Sequence, residues 1–190
     1  MNASIAAIDT PALVIDLDAM ERNLAAMAAF AREHGMRLRP HAKMHKSAWI
    51  AQQQITRGAV GVCVQKTSEA EALAAQGVGD IYISNEIIDP AKLARVAALA
   101  RDARLAIAVD SALGIERLAQ ALRAAGSTLD VFVEIDVGHG RCGAAPREAK
   151  WKSPCWICAG QERLGQRIWT SPSGWTTGVS QAGQRSGIAQ

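Results

Sequence analysis

Arg39-Pro40-His41-Ala42-Lys43-Met44-His45-Lys46 is the stretch whose reading decides the fold. In extended backbone, Leu38, Pro40 and Ala42 take one face, and Arg39, His41 and Lys43 take the other. The polar face of an antiparallel strand is normally the wet one. In a parallel β/α barrel, polar side chains on the inward face near a strand's C-terminal end read as active-site residues. A lysine there, partly desolvated and near other cations, can lose its proton and attack a carbonyl carbon to form an imine. A solvated basic strand end is the plainer reading, and these residues alone leave both open.

Outward from that stretch, short apolar runs alternate with helical patterns. Strands are expected at 12–16, 38–43, 60–65, 81–84, 105–110 and 129–136. Asp16 or Asp18 caps a first helix with Leu24, Met27, Ala28 and Ala31 on one face, and Gly35 ends it. Further helices are expected at 47–57, then from a Thr67 or Ser68 cap to Gly77, and at 90–101 and 111–125. Strand–helix alternation of this kind argues for an α/β fold with a parallel sheet. Periodicity does not separate a barrel from a doubly wound sheet. Gln65, Asn85, Asp110 and Asp136 close their strands with polar side chains, either to line a pocket or to cap the next helix. Cys63 falls in a strand apolar enough to be buried on both faces, where a thiol packs as a small hydrophobe.

Composition divides the chain near residue 150. Residues 1–150 hold 17 Lys and Arg against 17 Asp and Glu, whereas residues 151–190 hold four against one. The net charge of +3 therefore belongs to the tail and marks no basic stripe for nucleic acid. Trp151, Trp156, Trp169 and Trp175 also lie there, alanine falls to three, and no period survives. Residues 1–150 read as one unit and 151–190 as an irregular tail. A shift of reading frame near 144–151 of a GC-rich gene accounts for that change, since Arg, Gly, Ser, Trp and Gln are common out-of-frame products.

Other motifs carry less. Gly138-His139-Gly140-Arg141-Cys142-Gly143 fits G-x-G-x-x-G after an expected strand, but no regular helix and acidic strand end follow. Cys155-Trp156-Ile157-Cys158 lacks the second pair that a structural zinc site needs. The N-terminus has no basic, then apolar leader pattern, and no apolar run approaches the roughly 20 residues that cross a bilayer. A cytoplasmic chain without nucleic-acid or membrane partners is the expectation.

Pro40-His41-x-Lys43-x-His45-Lys46, behind Asp9-Thr10-Pro11-Ala12-Leu13-Val14-Ile15-Asp16 and Asn23-Leu24, resembles the D-threonine aldolase and D-serine dehydratase family. Val62-Cys63-Val64-Gln65, Ser68-Glu69-Ala70-Glu71 and Gly77-Val78-Gly79-Asp80-Ile81 match it in order. Glu134-Ile135-Asp136-Val137-Gly138 and Arg141-Cys142-Gly143 follow. The resemblance implies the alanine-racemase-type (β/α)8 TIM barrel, here a partial one, with the first strand assigned to a second, β-rich domain. It implies pyridoxal 5′-phosphate carried by Lys43, His41 near the cofactor ring, Gln65 as a further contact and Arg141 facing the pyridine nitrogen. Met44 leans toward the aldolases, which cleave D-threonine to glycine and acetaldehyde. Their divalent metal (Mn, Mg or Zn) is held by a histidine and an acidic or cysteine residue in a C-terminal β domain. The last histidine here is His139, so that motif is absent and the chain reads as truncated and inactive. A D-serine dehydratase-like enzyme and a single-barrel pyridoxal-phosphate homeostasis protein are the alternatives. A small D-amino acid substrate and a homodimer are the partners implied, the dimer being weakened by truncation.

Overall fold

The computed structural model describes residues 7–145, together with the backbone of two later strands. Helices α1 (Leu17–Glu33), α2 (Ala48–Thr56), α3 (Thr67–Ala74), α4 (Pro90–Leu99) and α5 (Ala112–Ala125) are all present. Between them run β1 (Val62–Val64), β2 (Asp80–Ile83), β3 (Arg104–Val109) and β4 (Asp130–Ile135), parallel and neighbours in chain order. Residues 38–42 ride on the free side of β1. The Val60 N–H donates to the Leu38 carbonyl, Cys63 to Pro40 and Ala42 to Cys63, at 2.9, 2.7 and 2.7 Å. The strand expected at 38–43 is therefore a short bridged rail beside β1, centred on the His41–Cys63 pair.

Local chemistry sets the helix starts. The Asp16, Ser47, Asp89 and Ser111 side chains each accept a first-turn N–H, and Pro90 opens α4 with its fixed φ. At α3 the expected Thr67 or Ser68 cap is replaced. Lys66 occupies the cap position, and Glu69 Oε2 reaches back to the N–H groups of Gln65 (3.0 Å) and Lys66 (3.2 Å). A carboxylate accepts both bonds and carries charge, so it outcompetes a hydroxyl at that spot.

One face of the sheet carries the core. Val62, Val64, Ile81, Ile83, Leu105, Ile107, Val109 and Val131 pack against Ala51, Ala70, Leu73, Leu93, Val96, Leu118 and Leu122 of the helices. Each branched side chain fully buried there contributes about 1.5–3 kcal/mol. α4 and α5 pack side by side and send Leu93, Val96, Leu118 and Leu122 into this core, and Ser127 Oγ, just past α5, donates to the Ala97 carbonyl at 2.7 Å.

Three expectations change. No strand forms at 12–16. Leu13 is 93% exposed and finds no pairing partner among the described residues, so the short apolar run has no sheet to join. Met27, expected on the buried face of α1, is exposed, and only Ala31 of that helix is buried. Beyond residue 150, where no regular element is expected, β5 (Gln166–Thr170) pairs parallel to β4 and β6 (Thr177–Ser180) antiparallel to β5. The Cys155–Cys158 pair and Trp151, Trp156 and Trp175 lie outside the described residues.

Candidate active site

The other face of the sheet carries no helix among the described residues, and its side chains fall into tiers. Asp80, Arg104 and Asp130 each open a strand at the N-terminal end. Arg39 bonds Asp80 at 2.8 Å, and Arg104 bridges Asp80 (3.4 Å) and Asp130 (3.3 Å). Above this charged row lies a small apolar tier of Cys63, Tyr82, Ala106 and Ala108 with Phe132 against it. The Tyr82 and Phe132 rings tilt together with centroids 4.9 Å apart. Arg39 reaches the charged row, so His41 and Lys43, two and four residues on, climb the same face toward the C-terminal mouth.

At the mouth the structure brings His41 and Lys43 together. His41 Nδ1 accepts the Lys43 backbone N–H at 3.3 Å. Burial, then the Lys43 charge, hold the imidazole below its ordinary pKa, so His41 is neutral at pH 7. Lys43 is half-buried and makes no ion pair among the described residues. Its neighbour Lys46 differs in each respect. Lys46 sits in left-handed backbone at φ 51°, is 62% exposed, and pairs with Glu69 at 3.7 Å. His45 is structural. Its Nδ1 accepts the Ser47 N–H at 3.0 Å, its Nε2 is enclosed, and burial holds it neutral.

Gln65 borders a cleft of about 470 Å³ above the C-terminal ends of β1 and β2, with Thr67, Asn85, Glu86 and Lys92. Lys43 and Arg141 are not among its lining residues. Arg141 is exposed on the loop that follows β4. That loop folds back on itself: the Ala144 N–H donates to the Glu134 carbonyl (2.9 Å), and Asp136 N–H donates to the Ala144 carbonyl (3.0 Å). Gly143 makes the return possible at φ +99°, where a Cβ would stand 2.6 Å from the Asp136 nitrogen. Asp136 is used up inside the loop, because its carboxylate takes the N–H groups of Gly138 (2.9 Å) and Gly140 (3.0 Å). Those donors are then unavailable to a phosphate, and the dinucleotide reading of the glycine motif loses its chemistry.

The loop sets Cys142 beside Glu134, with Sγ donating to Oε1 at 3.1 Å. Glu86, just beyond β2, completes a cluster at the mouth. Burial and the neighbouring Glu134 carboxyl push Glu86 up to about 7. The hydrogen bond to Glu134, then burial, push the Cys142 thiol up to about 12. Tyr82 lies beneath, its phenol pushed upward by burial and by these same acids. Sequence reasoning did not assemble this cluster. Its members come from separate segments, and only the sheet register brings them together.

Residues 15–155 match the family model described as alanine racemase, N-terminal domain. A D-threonine aldolase of an Arthrobacter species is 50% identical over 141 residues, which are 74% of this chain and 37% of that protein. A 3-hydroxy-D-aspartate aldolase of Paracoccus denitrificans is 47% identical over 144 residues, 75% of this chain and 37% of its own length. The crystal structure of D-threonine aldolase from Filomicrobium marinum superposes with a TM-score of 0.79 at 44% identity, covering 86% of this chain and 44% of that one. The chain thus spans little more than a third of the length of the curated relatives it matches.

Proposed function

Because the chain belongs to the alanine racemase N-terminal domain family, we propose that it forms the cofactor-holding part of a pyridoxal 5′-phosphate-dependent lyase for D-3-hydroxy amino acids. The observation that carries this reading is Lys43, a half-buried amine without an ion-pair partner among the described residues, braced by neutral His41 at the mouth of the bare sheet face. That donor set fits an aldehyde cofactor, and Lys46, already answered by Glu69, does not compete. When bound, the pyridoxal group supplies an electron sink for the bond broken at the substrate's Cα.

The chain's own residues do the positioning. His41 fixes where the Lys43 stem leaves the backbone and, being neutral, adds no second positive charge beside it. Gln65 offers an amide with both donor and acceptor capacity to what enters the cleft. Arg141 carries a guanidinium, a donor without acceptor capacity, so it is suited to face a ring nitrogen and keep it unprotonated. Such a ring is a weaker sink, and other groups must share the developing charge.

The relatives named for D-threonine and 3-hydroxy-D-aspartate share a hydroxyl on Cβ, which supports substrates of that kind and a retro-aldol cleavage to glycine and an aldehyde. We place the divalent metal of such a reaction on residues outside this sequence. We also place the protein in the cytoplasm; none of the described helices is long and apolar enough to cross a membrane. Residues 1–150 are read as the barrel portion, and the family match ends close to that point, at residue 155.

Borohydride reduction in the presence of pyridoxal phosphate, followed by peptide mapping, tests the assignment. The label is expected on Lys43 and is lost in Lys43→Ala, with the urea midpoint unchanged. Label on Lys46, or label retained in Lys43→Ala, refutes it.

A further inference from the structure

The cleft above β1 and β2 encloses about 470 Å³, and the first residues of both α3 and α4 border it. We propose that this cleft binds a phosphate group, seated on the start of α3 between Lys66 and Lys92 and separate from Lys43. The inference does not depend on the pyridoxal reading.

Thr67 is the residue that lacks a partner. It lines the cleft, is only 4% exposed, and its Oγ1 is enclosed with no hydrogen-bond partner. A helical threonine ordinarily turns its hydroxyl back to a carbonyl three or four residues earlier. Here both of those carbonyls are engaged. That of Val64 accepts the Ser84 N–H at 2.9 Å and the Ser84 hydroxyl at 3.1 Å, and that of Cys63 accepts the Ala42 N–H at 2.7 Å. An enclosed hydroxyl left unpaired is costly. Its second χ1 rotamer, which threonine keeps open in a helix, brings it to an acceptor in the cleft.

The rest of the cleft wall favours an anion. The N–H groups of Thr67 and Ser68, in the open first turn of α3, have no acceptor among the described residues. Amides at a helix start face an anion with the helix dipole behind them. Lys66 and Lys92 border the same space and make no ion pair among the described residues, whereas Arg95 is tied to Glu71. The nearby acids are each answered. Asp89 accepts the Lys92 N–H at 2.9 Å, and Glu69 accepts the Gln65 and Lys66 N–H groups with Lys46 against it. Glu86 holds its proton more firmly than usual, through burial and the neighbouring Glu134. Amides, hydroxyls and ammonium groups thus approach from different sides, which suits the three acceptor oxygens and near-double charge of a phosphate better than a flat carboxylate. The volume lies within the range of small-molecule sites and leaves room for a small ester. Free phosphate, a small phosphate monoester and the phosphate of pyridoxal phosphate share this chemistry.

The test is calorimetric titration of the full chain with inorganic phosphate. One phosphate per chain should bind, and equally well in Lys43→Ala, while acetate should bind at least about 10-fold more weakly. Lys92→Ala, an exposed position, and Thr67→Val, which removes only the hydroxyl, should each weaken phosphate binding by about 10-fold. Thr67→Val deletes an unpartnered hydroxyl, so its urea midpoint without phosphate should hold or rise, and a misfolded variant is thereby told apart from a lost contact. A second titration uses chain on which pyridoxal phosphate has been fixed to Lys43 by borohydride. Phosphate that still binds there identifies a free phosphate compound as the occupant. Blocked binding would mean that the cleft holds the cofactor's own phosphate, and overturns a separate site. No saturable binding to the unsubstituted chain, unchanged binding in Thr67→Val, or loss of binding in Lys43→Ala overturns the proposal as well.

Discussion

The two ends of the bare sheet face are both rich in charge, yet they are built on opposite principles. At the N-terminal end, Arg39, Asp80, Arg104 and Asp130 alternate in sign across neighbouring strands, and every charge has a partner. At the C-terminal end, Lys43 makes no ion pair among the described residues, and Glu86, Glu134 and Cys142 hydrogen-bond only within their own cluster of proton-holding groups. A row that neutralises itself has little left to offer a ligand and acts as scaffold. A row of an amine beside acids that hold their protons keeps proton-transfer capacity, and it sits at the end of the strands where parallel α/β folds place their chemistry.

The sharpest way to break the scaffold end is Gly61→Ala. Gly61 has φ +149°, and a Cβ there would meet the Asp80 carbonyl at 2.4 Å and the Arg39 guanidinium at 2.5 Å. Urea unfolding should show a loss of about 2–4 kcal/mol, and a loss under about 0.5 would mean that the sheet tolerates a shift at this point. Asp80→Ala comes next, because it removes the anion shared by two arginines and leaves them facing each other. With Arg39 and Asp80 each 24% exposed, the expected cost is about 1–2 kcal/mol. Arg104→Ala, more exposed at 55%, should cost about 0.5 kcal/mol or less, and equal costs for the two substitutions would contradict the shared-anion picture.

The smallest effect belongs to the mouth. His41 has its pKa lowered by burial and then by Lys43, so the unfolded chain takes up protons more readily than the folded one. The corresponding stability is present above the unfolded value near 6.5 and is lost as the pH falls through the lowered folded value. His45, lowered by burial, adds to the same trend. Glu86, raised to about 7, takes up its proton in the folded chain over the same interval and works the other way. The His41 part is therefore read by difference: between pH about 5.5 and 7.5, His41→Gln should remove less than about 1 kcal/mol of acid-side loss after solvent screening. A His41→Gln variant that loses an acid-side gain rather than a loss would mean that His41 is charged in the folded state.

Most of the framework was legible before any coordinates, because helices announce their ends locally. Asp16, Ser47, Asp89 with Pro90, and Ser111 are starts that a reader can find, and Gly126 stops α5 in left-handed backbone at φ 60°. The Glu69 cap of α3 was legible too, as a glutamate three residues past Lys66, but the neighbouring Thr67 and Ser68 drew attention away. The short apolar run at 12–16 read as a strand and is none, since a strand requires a partner that its own sequence does not specify. At the site, alternation put His41 and Lys43 on one face but left a solvated basic strand end open, and the family resemblance carried the choice. Glu86, Glu134 and Cys142 did not, because they are 48 and 8 residues apart along the chain and meet only through the register of the sheet.

The charged row at the strand starts has a consequence for assembly. Asp80, Arg104 and Asp130 each occupy the first position of a strand. Sliding β3 by one residue would turn Arg104 onto the face that holds Ile83, Val96 and Leu118, and a guanidinium without its carboxylates would then lie among aliphatic side chains. Sliding it by two would keep the face but pull the cation away from both anions. The row thus behaves as a ruler, telling a right alignment of strands from its near neighbours while the apolar side, Val against Ile against Leu, would accept several.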